Sequence, residues 1–215
     1  IPKPAKLNVP EWYKSNPLNL EGTNTFIPEG PISHTFKRCV PFLDSLTIGY
    51  TAELWSDVVV RKKPNGLSTF EWRTPRPVLE ERPIETSMEL PVPAGYSYQR
   101  LAWKVPYYIQ TPKNYSVIIT HPLNRFDLPF TTLSGVVDSD EVMYAGNVPF
   151  FLRQDFEGLI PKGTPLYQII PFRREDWTSE EDSQIIEKGH LNHKRSFSVI
   201  NGWYKRNVWK RKTYL

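Results

Sequence analysis

Proline constrains this chain more than any other residue: it occupies 21 of 215 positions, about twice its usual share of about 5%. Because proline has a fixed φ and no backbone N–H, it interrupts helix interiors and central strands. The prolines are spread from position 2 to position 171, so few long helices fit between them. The pattern therefore predicts short strands joined by long irregular connections.

Composition indicates one folded domain with a substantial core. Apolar residues make up 39% of the chain and aromatic residues 13%, whereas disordered chains lack aromatic side chains. The formal net charge of +4 is too small by itself to indicate a nucleic-acid partner. Since there is no run of about 18 apolar residues, we expect no membrane-spanning segment, and we expect no signal peptide.

A single cysteine, Cys39, allows no intrachain disulfide and indicates a reducing compartment. We expect Cys39 to be a small buried hydrophobic residue rather than a reactive thiol.

Runs of β-branched and aromatic residues predict the strands. They fall at 45–60, 68–73, 103–109, 116–120, 149–153 and 166–170. Asn65-Gly66 is a strong hairpin signal between the first two runs. Val-Ile-Ile at 117–119 is typical of a central, buried strand.

The chain is divided, on this pattern, into four parts. Residues 1–31 form an extended proline-rich arm, with prolines at 2, 4, 10, 17, 28 and 31. Residues 32–173 form a β-rich core, 174–190 a peripheral helix and 191–215 a basic aromatic tail. The arm either packs over its own domain or reaches a neighbouring subunit.

One segment, Thr178 to Lys188, is predicted to be the longest helix. Thr178 and Glu181 have the spacing of a capping box, and acids at its start suit the helix dipole. Gly189 is a typical C-terminal stop.

The tail supplies most of the candidate binding residues. From Lys194 onward it has seven Lys or Arg residues, no acid and five interleaved aromatic residues. We select Trp203, Tyr204, Trp209, Lys210 and Arg211. Such a segment can follow a phosphate backbone while stacking on bases. It can equally dock on another subunit, or on the chain's own segment 174–188, which carries six acids.

The remaining chemistry-bearing residues have ordinary structural interpretations. His190 and His193 are three residues apart, but two ligands are too few for a four-coordinate zinc site. We therefore predict that they bind no metal and that both lie in an exposed loop. Asp138, Asp140 and Glu141 can form a solvated turn or hold Mg²⁺ or Ca²⁺. Arg125 can bind an anion or pair with Asp127.

Two stretches resemble the dUTPase and dCTP deaminase superfamily. Leu133-Ser-Gly-Val-Val-Asp138 followed by Tyr144-Ala-Gly146 is similar to its Gly-Val-Ile-Asp…Tyr-x-Gly motif, and Ile160-Pro-Lys-Gly163 through Gln168-Ile-Ile resembles a later strand. The resemblance covers about 133–170 and implies a β-clip jelly roll, usually trimeric. It also implies that Asp138 orients a hydrolytic water, that Tyr144 contacts a deoxyribose and that Mg²⁺ assists.

The chain departs from this family where phosphate is bound. The arginine-serine-glycine motif is replaced by His121-Pro-Leu-Asn-Arg125, and the glycine-rich C-terminal clamp by the basic tail. The sequence as a whole also resembles uncharacterised phage-encoded proteins, which implies a cytoplasmic or virion-associated location.

These observations predict an all-β fold, a jelly-roll or β-clip-like sandwich with one peripheral C-terminal helix. The leading function is a non-enzymatic structural or interaction protein, phage-encoded, without a cofactor, assembling as a homo-oligomer or with other subunits through its arm and tail. The alternative is a dUTPase-like protein that binds or hydrolyses nucleotides, with Arg125 and Gln168 among its binding residues.

Overall fold

The computed structural model describes residues 1–18, 26–27, 30–31, 35–83, 90–198 and 203–215. Within the helices and strands of these ranges, the side chains of 26–27, 30–31, 144–146, 183, 194–198 and 203 are not described. Contacts divide the chain into two compact units. The β unit comprises 1–8, 46–174 and Tyr214, and the helical unit comprises 9–45, 175–213 and Leu215.

Strands dominate the structure, as predicted. They are β1 Lys3–Pro4, β2 Phe26–Ile27, β3 Gly30–Pro31, β4 Tyr50–Glu53, β5 Val58–Lys62, β6 Ser68–Glu71, β7 Leu79–Arg82, β8 Arg100–Ile109, β9 Tyr115–Thr120, β10 Phe130–Thr132, β11 Gly135–Val137, β12 Tyr144–Leu152, β13 Gly158–Ile160 and β14 Pro165–Arg173. The helices are α1 Glu11–Ser15, α2 Val40–Thr47, α3 Ser183–Ser198 and α4 Trp203–Asn207, with 3-10 turns at Ala5–Asn8 and Phe36–Arg38.

Three antiparallel sheets build the β unit. The first has the order β1-β4-β14-β9-β11, the second β10-β12-β8-β7 and the third β13-β5-β6. Apolar residues of all three sheets meet in one core, which makes the unit an all-β sandwich. At its centre, Trp103 stacks on Phe150 with ring centroids 3.8 Å apart and meets Phe130 edge-on.

Two strand predictions are confirmed in detail. The Asn65-Gly66 turn joins β5 to β6, and Gly66 has a φ of 81°. β9 lies between β14 and β11, and its Val117 and Ile119 are buried. Residues 45–47, which were predicted as the start of a strand, instead belong to α2, and β4 begins at Tyr50.

The N-terminal eight residues are bound to the β unit. β1 pairs with β4, and the Ala5 amide donates to the Gly49 carbonyl at 3.0 Å. Lys3 Nζ lies 2.6 Å from a carboxylate oxygen of Glu53. The predicted extended arm thus begins as an edge strand and a 3-10 turn, and α1 follows it.

An aromatic cluster holds the N-terminal part of the helical unit. Its rings lie 5.3 to 6.4 Å apart and belong to Trp12, Tyr13, Phe36 and Phe42. Lys37 Nζ donates to the carbonyl of Asn16 at 2.7 Å and thereby satisfies a group just beyond the end of α1. Cys39 is exposed, so the prediction that it is buried is wrong.

α3 is the longest helix among the described residues, but its predicted bounds were wrong. It begins at Ser183, where the Asp182 carboxylate accepts a hydrogen bond from the Gln184 amide at 2.8 Å. Gly189 lies inside it, so His190 and His193 are helical and exposed rather than in a loop. None of the described helices is long and apolar enough to cross a membrane.

Candidate functional site

The basic tail is anchored on α2 by two side chains. Trp209 Nε1 donates to both carboxylate oxygens of Asp44, at 2.9 and 3.1 Å. Lys212 also donates to Asp44 and lies 5.7 Å from the Trp209 ring centroid. The Asp44 carboxylate therefore accepts hydrogen bonds from an indole N–H and from an ammonium group, and both bonds are charge-assisted.

A short helix presents the tail residues before this anchor. In α4 the carbonyl of Tyr204 accepts from the amides of Val208 and Trp209, at 2.9 and 2.8 Å. Four basic residues around the anchor are exposed and form no ion pair with any described residue: Lys205, Arg206, Lys210 and Arg211. We call these four residues the basic surface.

The predicted aromatic binding residues have separate environments. Trp209 is half-buried at the anchor, and Tyr204 is 39% exposed. The side chain of Trp203 lies outside the described residues. Tyr214, which belongs to the β unit, meets Tyr50 edge-on with ring centroids 5.7 Å apart. Two of the tail's aromatic side chains are therefore engaged within the chain.

An acidic segment precedes α3 in the same helical unit. Residues 175–182 are exposed throughout, and five of the eight are acids. Trp177 lies among them with 85% of its surface accessible. The sequence analysis counted these acids but missed Trp177. A tryptophan within a run of acidic and hydroxyl residues is the signal that would have identified it.

The two residues implied by the family resemblance lie on different sheets of the β unit: Asp138 follows the first sheet's β11, and Tyr144 begins the second sheet's β12. Asp138 follows β11, is 65% exposed and accepts a hydrogen bond from Ser116 Oγ at 2.6 Å. Arg174 Nη1 lies 3.4 Å from the same carboxylate oxygen. Tyr144 is the first residue of β12 and pairs with Ile109, but its side chain is not described.

Asp140 is the more tightly held acid of this turn. Arg174 donates to its two oxygens at 2.8 and 2.5 Å, and the Asn114 amide adds a bond of 2.8 Å. The bidentate Arg174 bond lowers the pKa of Asp140 to about 2. The Asp140 side chain is only 2% exposed and that of Arg174 is 35% exposed, so this acid of the predicted solvated turn is a buried carboxylate paired with a partly exposed arginine. Sequence reasoning missed Arg174 because 34 residues separate it from Asp140.

Arg125 and Gln168 lie close together and make structural bonds. Arg125 pairs with Asp127 through Nε and Nη2, at 2.9 and 2.8 Å, as one of the two predicted alternatives requires. Gln168 is buried; its Oε1 accepts from the Leu123 amide at 3.0 Å and its Nε2 donates to the Ile48 carbonyl at 2.5 Å. Gln168 therefore fixes the 121–128 loop against β14, whereas Arg125 pairs within the loop and donates to the Asn8 carbonyl at 3.3 Å.

The His121 side chain also holds the 121–128 loop in place, through hydrogen bonds of both ring nitrogens. Its Nδ1 accepts from the Thr132 amide at 3.2 Å, so its Nε2, 3.0 Å from the Arg125 carbonyl, is the protonated nitrogen. Burial lowers the pKa of this imidazole below its usual value. The residues that replace the phosphate motif are thus held by bonds within the loop.

Within the part of the chain that the structure describes, no group of three or more His, Cys, Asp or Glu side chains could hold a metal ion.

Neither comparison of the sequence with known proteins gives a relative: no family model matches the chain, and no curated protein matches it. The similarity of residues 133–170 to the dUTPase superfamily therefore stays an expectation.

Proposed function

We propose that the chain is a non-enzymatic structural protein that assembles with further copies of itself. The basic surface of one copy contacts the acidic segment 175–182 of the next copy. The resemblance to phage-encoded proteins is consistent with a component of a larger assembly.

The observation that carries this proposal is the anchoring of the tail. Trp209 and Lys212 fix the segment on Asp44, while Lys205, Arg206, Lys210 and Arg211 remain exposed. An anchored segment loses less conformational entropy on binding than a disordered one. The basic surface is therefore prepared for a partner that carries negative charge.

The acidic segment provides a complementary surface on an identical chain. It has five acids and the highly exposed Trp177, and tryptophan and arginine are the residues most enriched at interface hot spots. An arginine of the basic surface can stack on an indole ring while its neighbours face the acids. Both partners of the contact thus exist on every copy, which permits a closed ring or a symmetric dimer.

A protein partner is better supported than a single-stranded nucleic acid. Nucleic-acid binding of that kind needs aromatic side chains on which bases can stack. Trp209 donates to Asp44 and Tyr214 packs on Tyr50, so these rings are engaged. Of the described tail, Tyr204 is the aromatic side chain that remains on the surface.

The tail is also a better supported assembly element than the N-terminal arm. Residues 1–8 pair with β4 and bond to Gly49 and Glu53 of their own β unit.

A nucleotide-hydrolysing function has less support, because Arg125 and Arg174 are each bidentate to an aspartate within the chain. Triphosphate chemistry depends on cationic donors that reach the substrate.

Sedimentation velocity at two salt concentrations tests the proposal. We expect an oligomer at about 0.05 M salt that dissociates at about 0.5 M, because exposed charges are then screened. The variant with Trp177→Ala should remain monomeric at both. Ala substitution of Tyr98, another exposed aromatic residue on the β unit, is the matched control and should leave the mass unchanged. A wild-type protein that is monomeric at low salt would exclude the proposed assembly.

A further inference from the structure

The turn between β5 and β6 places Asn65 and Gly66 at the tip of an exposed hairpin. The Lys63 amide donates to the Leu67 carbonyl at 2.8 Å, and the Gly66 amide donates to the Lys63 carbonyl at 2.9 Å. Pro64, Asn65 and Gly66 form the loop between them, and all are exposed. A loop of this length commonly ends in a residue with positive φ, and Gly66 has a φ of 81°.

The side chain of Asn65 is held by a hydrogen bond within the turn. Its Oδ1 accepts from the Leu67 amide at 3.1 Å, which keeps the side-chain carbonyl folded back over the loop. When a nucleophile adds to the carbonyl carbon, Cγ, negative charge develops on Oδ1. The Leu67 N–H is already placed to stabilise that charge.

The backbone nitrogen of Gly66 is the nucleophile that the chain itself supplies. Its attack on Cγ of Asn65 is intramolecular, so the entropy cost of bringing two molecules together is avoided. Gly66 has no side chain to hinder the rotation that this attack requires, and a Cβ at its position would meet no atom within 4 Å. Rotation of the turn therefore breaks the hydrogen bond to Lys63 but displaces no packed side chain.

We propose that Asn65 is a site of spontaneous deamidation. Hydroxide removes the proton of the Gly66 amide, the amide nitrogen bonds to Cγ of Asn65, and the side-chain nitrogen leaves. A proton from water completes the ammonia and returns the hydroxide. Water then opens the cyclic imide at either carbonyl, which gives aspartate or isoaspartate. The net reaction consumes water, releases ammonia and involves no oxidation or reduction.

The two products have different effects on the hairpin. Aspartate keeps the main chain unchanged and gives the Leu67 amide a charged acceptor, so the hairpin stays intact. Isoaspartate lengthens the main chain of the turn, which disturbs the pairing of Lys62 with Ser68 beside it. Either product lowers the formal net charge of +4 by one unit. The inference concerns the β unit and does not depend on the proposed assembly.

Asn114 is a matched control within the same chain. It is exposed in a turn and has a φ of 68°. The amide that follows it, that of Tyr115, also donates to a carbonyl three residues earlier, Pro112, at 3.1 Å. Asn114 differs from Asn65 in preceding a bulky residue, and no described residue donates to its side-chain oxygen.

Peptide mapping of the full chain by mass spectrometry tests the proposal. The folded protein is incubated at mildly alkaline and at mildly acidic pH and then digested with trypsin, which leaves Asn65 in the peptide 63–73. Fragment masses locate each modified residue and separate Asn65 from Asn201, which also precedes a glycine but lies outside the described residues. A sample digested at the start of the incubation corrects for deamidation during digestion.

We expect Asn65 to gain the mass difference between an amide and a carboxyl group at least about tenfold faster than Asn114, since glycine leaves the attacking nitrogen unhindered. The reaction should be slower at acidic pH, because the attacking amide must lose its proton to hydroxide.

Two glycine variants isolate the role of Gly66. Gly66→Ala should slow the modification of Asn65 at least about tenfold, because a Cβ hinders the rotation. Gly95→Ala is the control and should leave the rate unchanged; its φ of 82° is similar and it also has no atom within 4 Å. Circular dichroism reports whether each variant is folded. An unmodified Asn65, a rate no faster than that of Asn114, or an unchanged rate in folded Gly66→Ala would each overturn the inference.

Discussion

Trp209 donates its indole N–H to both carboxylate oxygens of Asp44, across 165 residues of sequence. Asp44 lies in α2, and Lys212 donates to the same carboxylate. Trp209 and Lys212, near the C-terminus, are thus bound to Asp44 in the N-terminal quarter of the chain. This contact determines how the basic surface is presented.

Substitution of Trp209 by Phe should loosen the tail without unfolding the chain. The ring is kept, but the indole N–H is lost, and a hydrogen bond to a charged group is worth about 1.5–3 kcal/mol. The Val208 amide, which donates to Tyr204, should then exchange with deuterium at least about tenfold faster. Glu11→Gln, in an exposed position of α1 with a weak pair to Lys14, should leave that rate unchanged. Equal exchange in Trp209→Phe and wild type would mean that the anchor contributes nothing.

Gly49 should tolerate no side chain. It has a φ of 70°, and a Cβ there would lie 2.1 Å from the Ile169 carbonyl oxygen. Gly49→Ala should therefore lower the free energy of unfolding by more than about 4 kcal/mol. Gly66→Ala is the matched control: its φ of 81° is similar, but no atom lies within 4 Å, so only the backbone cost of about 1–2 kcal/mol applies. Urea denaturation measures both, and equal losses would refute the role of the Ile169 contact.

The stability of the β unit should depend on pH through His121. Burial lowers the pKa of this imidazole, and the positive charge of the Arg125 side chain lowers it further. The hydrogen bond to the Arg125 carbonyl and the negative charge of Asp127 raise the pKa, but by less. The unfolded chain therefore binds the proton more readily, so stability is complete above about pH 6.5 and decreases as the pH falls towards the folded-state pKa. Protonation of Nδ1 also removes the acceptor for the Thr132 amide.

Urea denaturation of wild type and His121→Asn checks this dependence. The asparagine cannot titrate, so its free energy of unfolding should decline less than that of wild type between about pH 7.5 and pH 5. Asp140, with a pKa of about 2, does not titrate in this window. Parallel declines in the two proteins would show that another group is responsible.

We expect no pyrophosphate release from dUTP in the presence of Mg²⁺. Arg174 Nη1 lies 3.4 Å from the exposed Asp138 carboxylate and is bound to Asp140, so this arginine can bind a triphosphate only by breaking that pair. A colorimetric assay of pyrophosphate measures the outcome. Release that is abolished by Asp138→Asn, with Glu157→Gln as an exposed control, would instead support the nucleotide-hydrolysing alternative.

Local patterns predicted the β fold because they act over short distances. The Asn65-Gly66 turn and the Val-Ile-Ile strand at 117–119 each depend on a few adjacent residues, and both were correct. α2 was missed because residues 32–173 were assigned to the β-rich core; Pro41 lies in its first turn, where proline is well tolerated.

The ends of α3 were misplaced for a related reason. Thr178 was predicted at the N-cap, whereas Asp182 caps the helix by accepting from the Gln184 amide. Gly189 was read as a stop, but glycine inside a helix costs only about 1 kcal/mol, and α3 continues to Ser198.

The candidate site depended on long-range contacts, which no local pattern specifies. The tail's composition identified Trp209, Lys210 and Arg211, but nothing in the sequence links Trp209 to Asp44. The same holds for Arg174 and Asp140. Packing decides which charged residues are paired and which stay on the surface, and so decides which can bind a partner.

The central claim is that copies assemble through the basic surface and the acidic segment, and charge-reversed variants test it most directly. One variant carries Lys205→Glu and Arg206→Glu, and the other carries Glu180→Lys and Glu181→Lys. In each, attraction is replaced by repulsion at two positions, a change of about 2 kcal/mol that weakens association more than about tenfold. A control variant carries Lys63→Glu and Lys113→Glu, which reverse two exposed charges on the β unit.

The decisive measurement is the mass by light scattering of the two variants, alone and mixed in equal amounts. We predict that each variant alone is monomeric, that the mixture recovers an oligomer because the reversed charges at 205–206 of one variant then face the reversed charges at 180–181 of the other, and that the Lys63 and Lys113 control keeps the wild-type mass. Variants that retain the wild-type mass on their own, or a mixture that stays monomeric, would contradict the account.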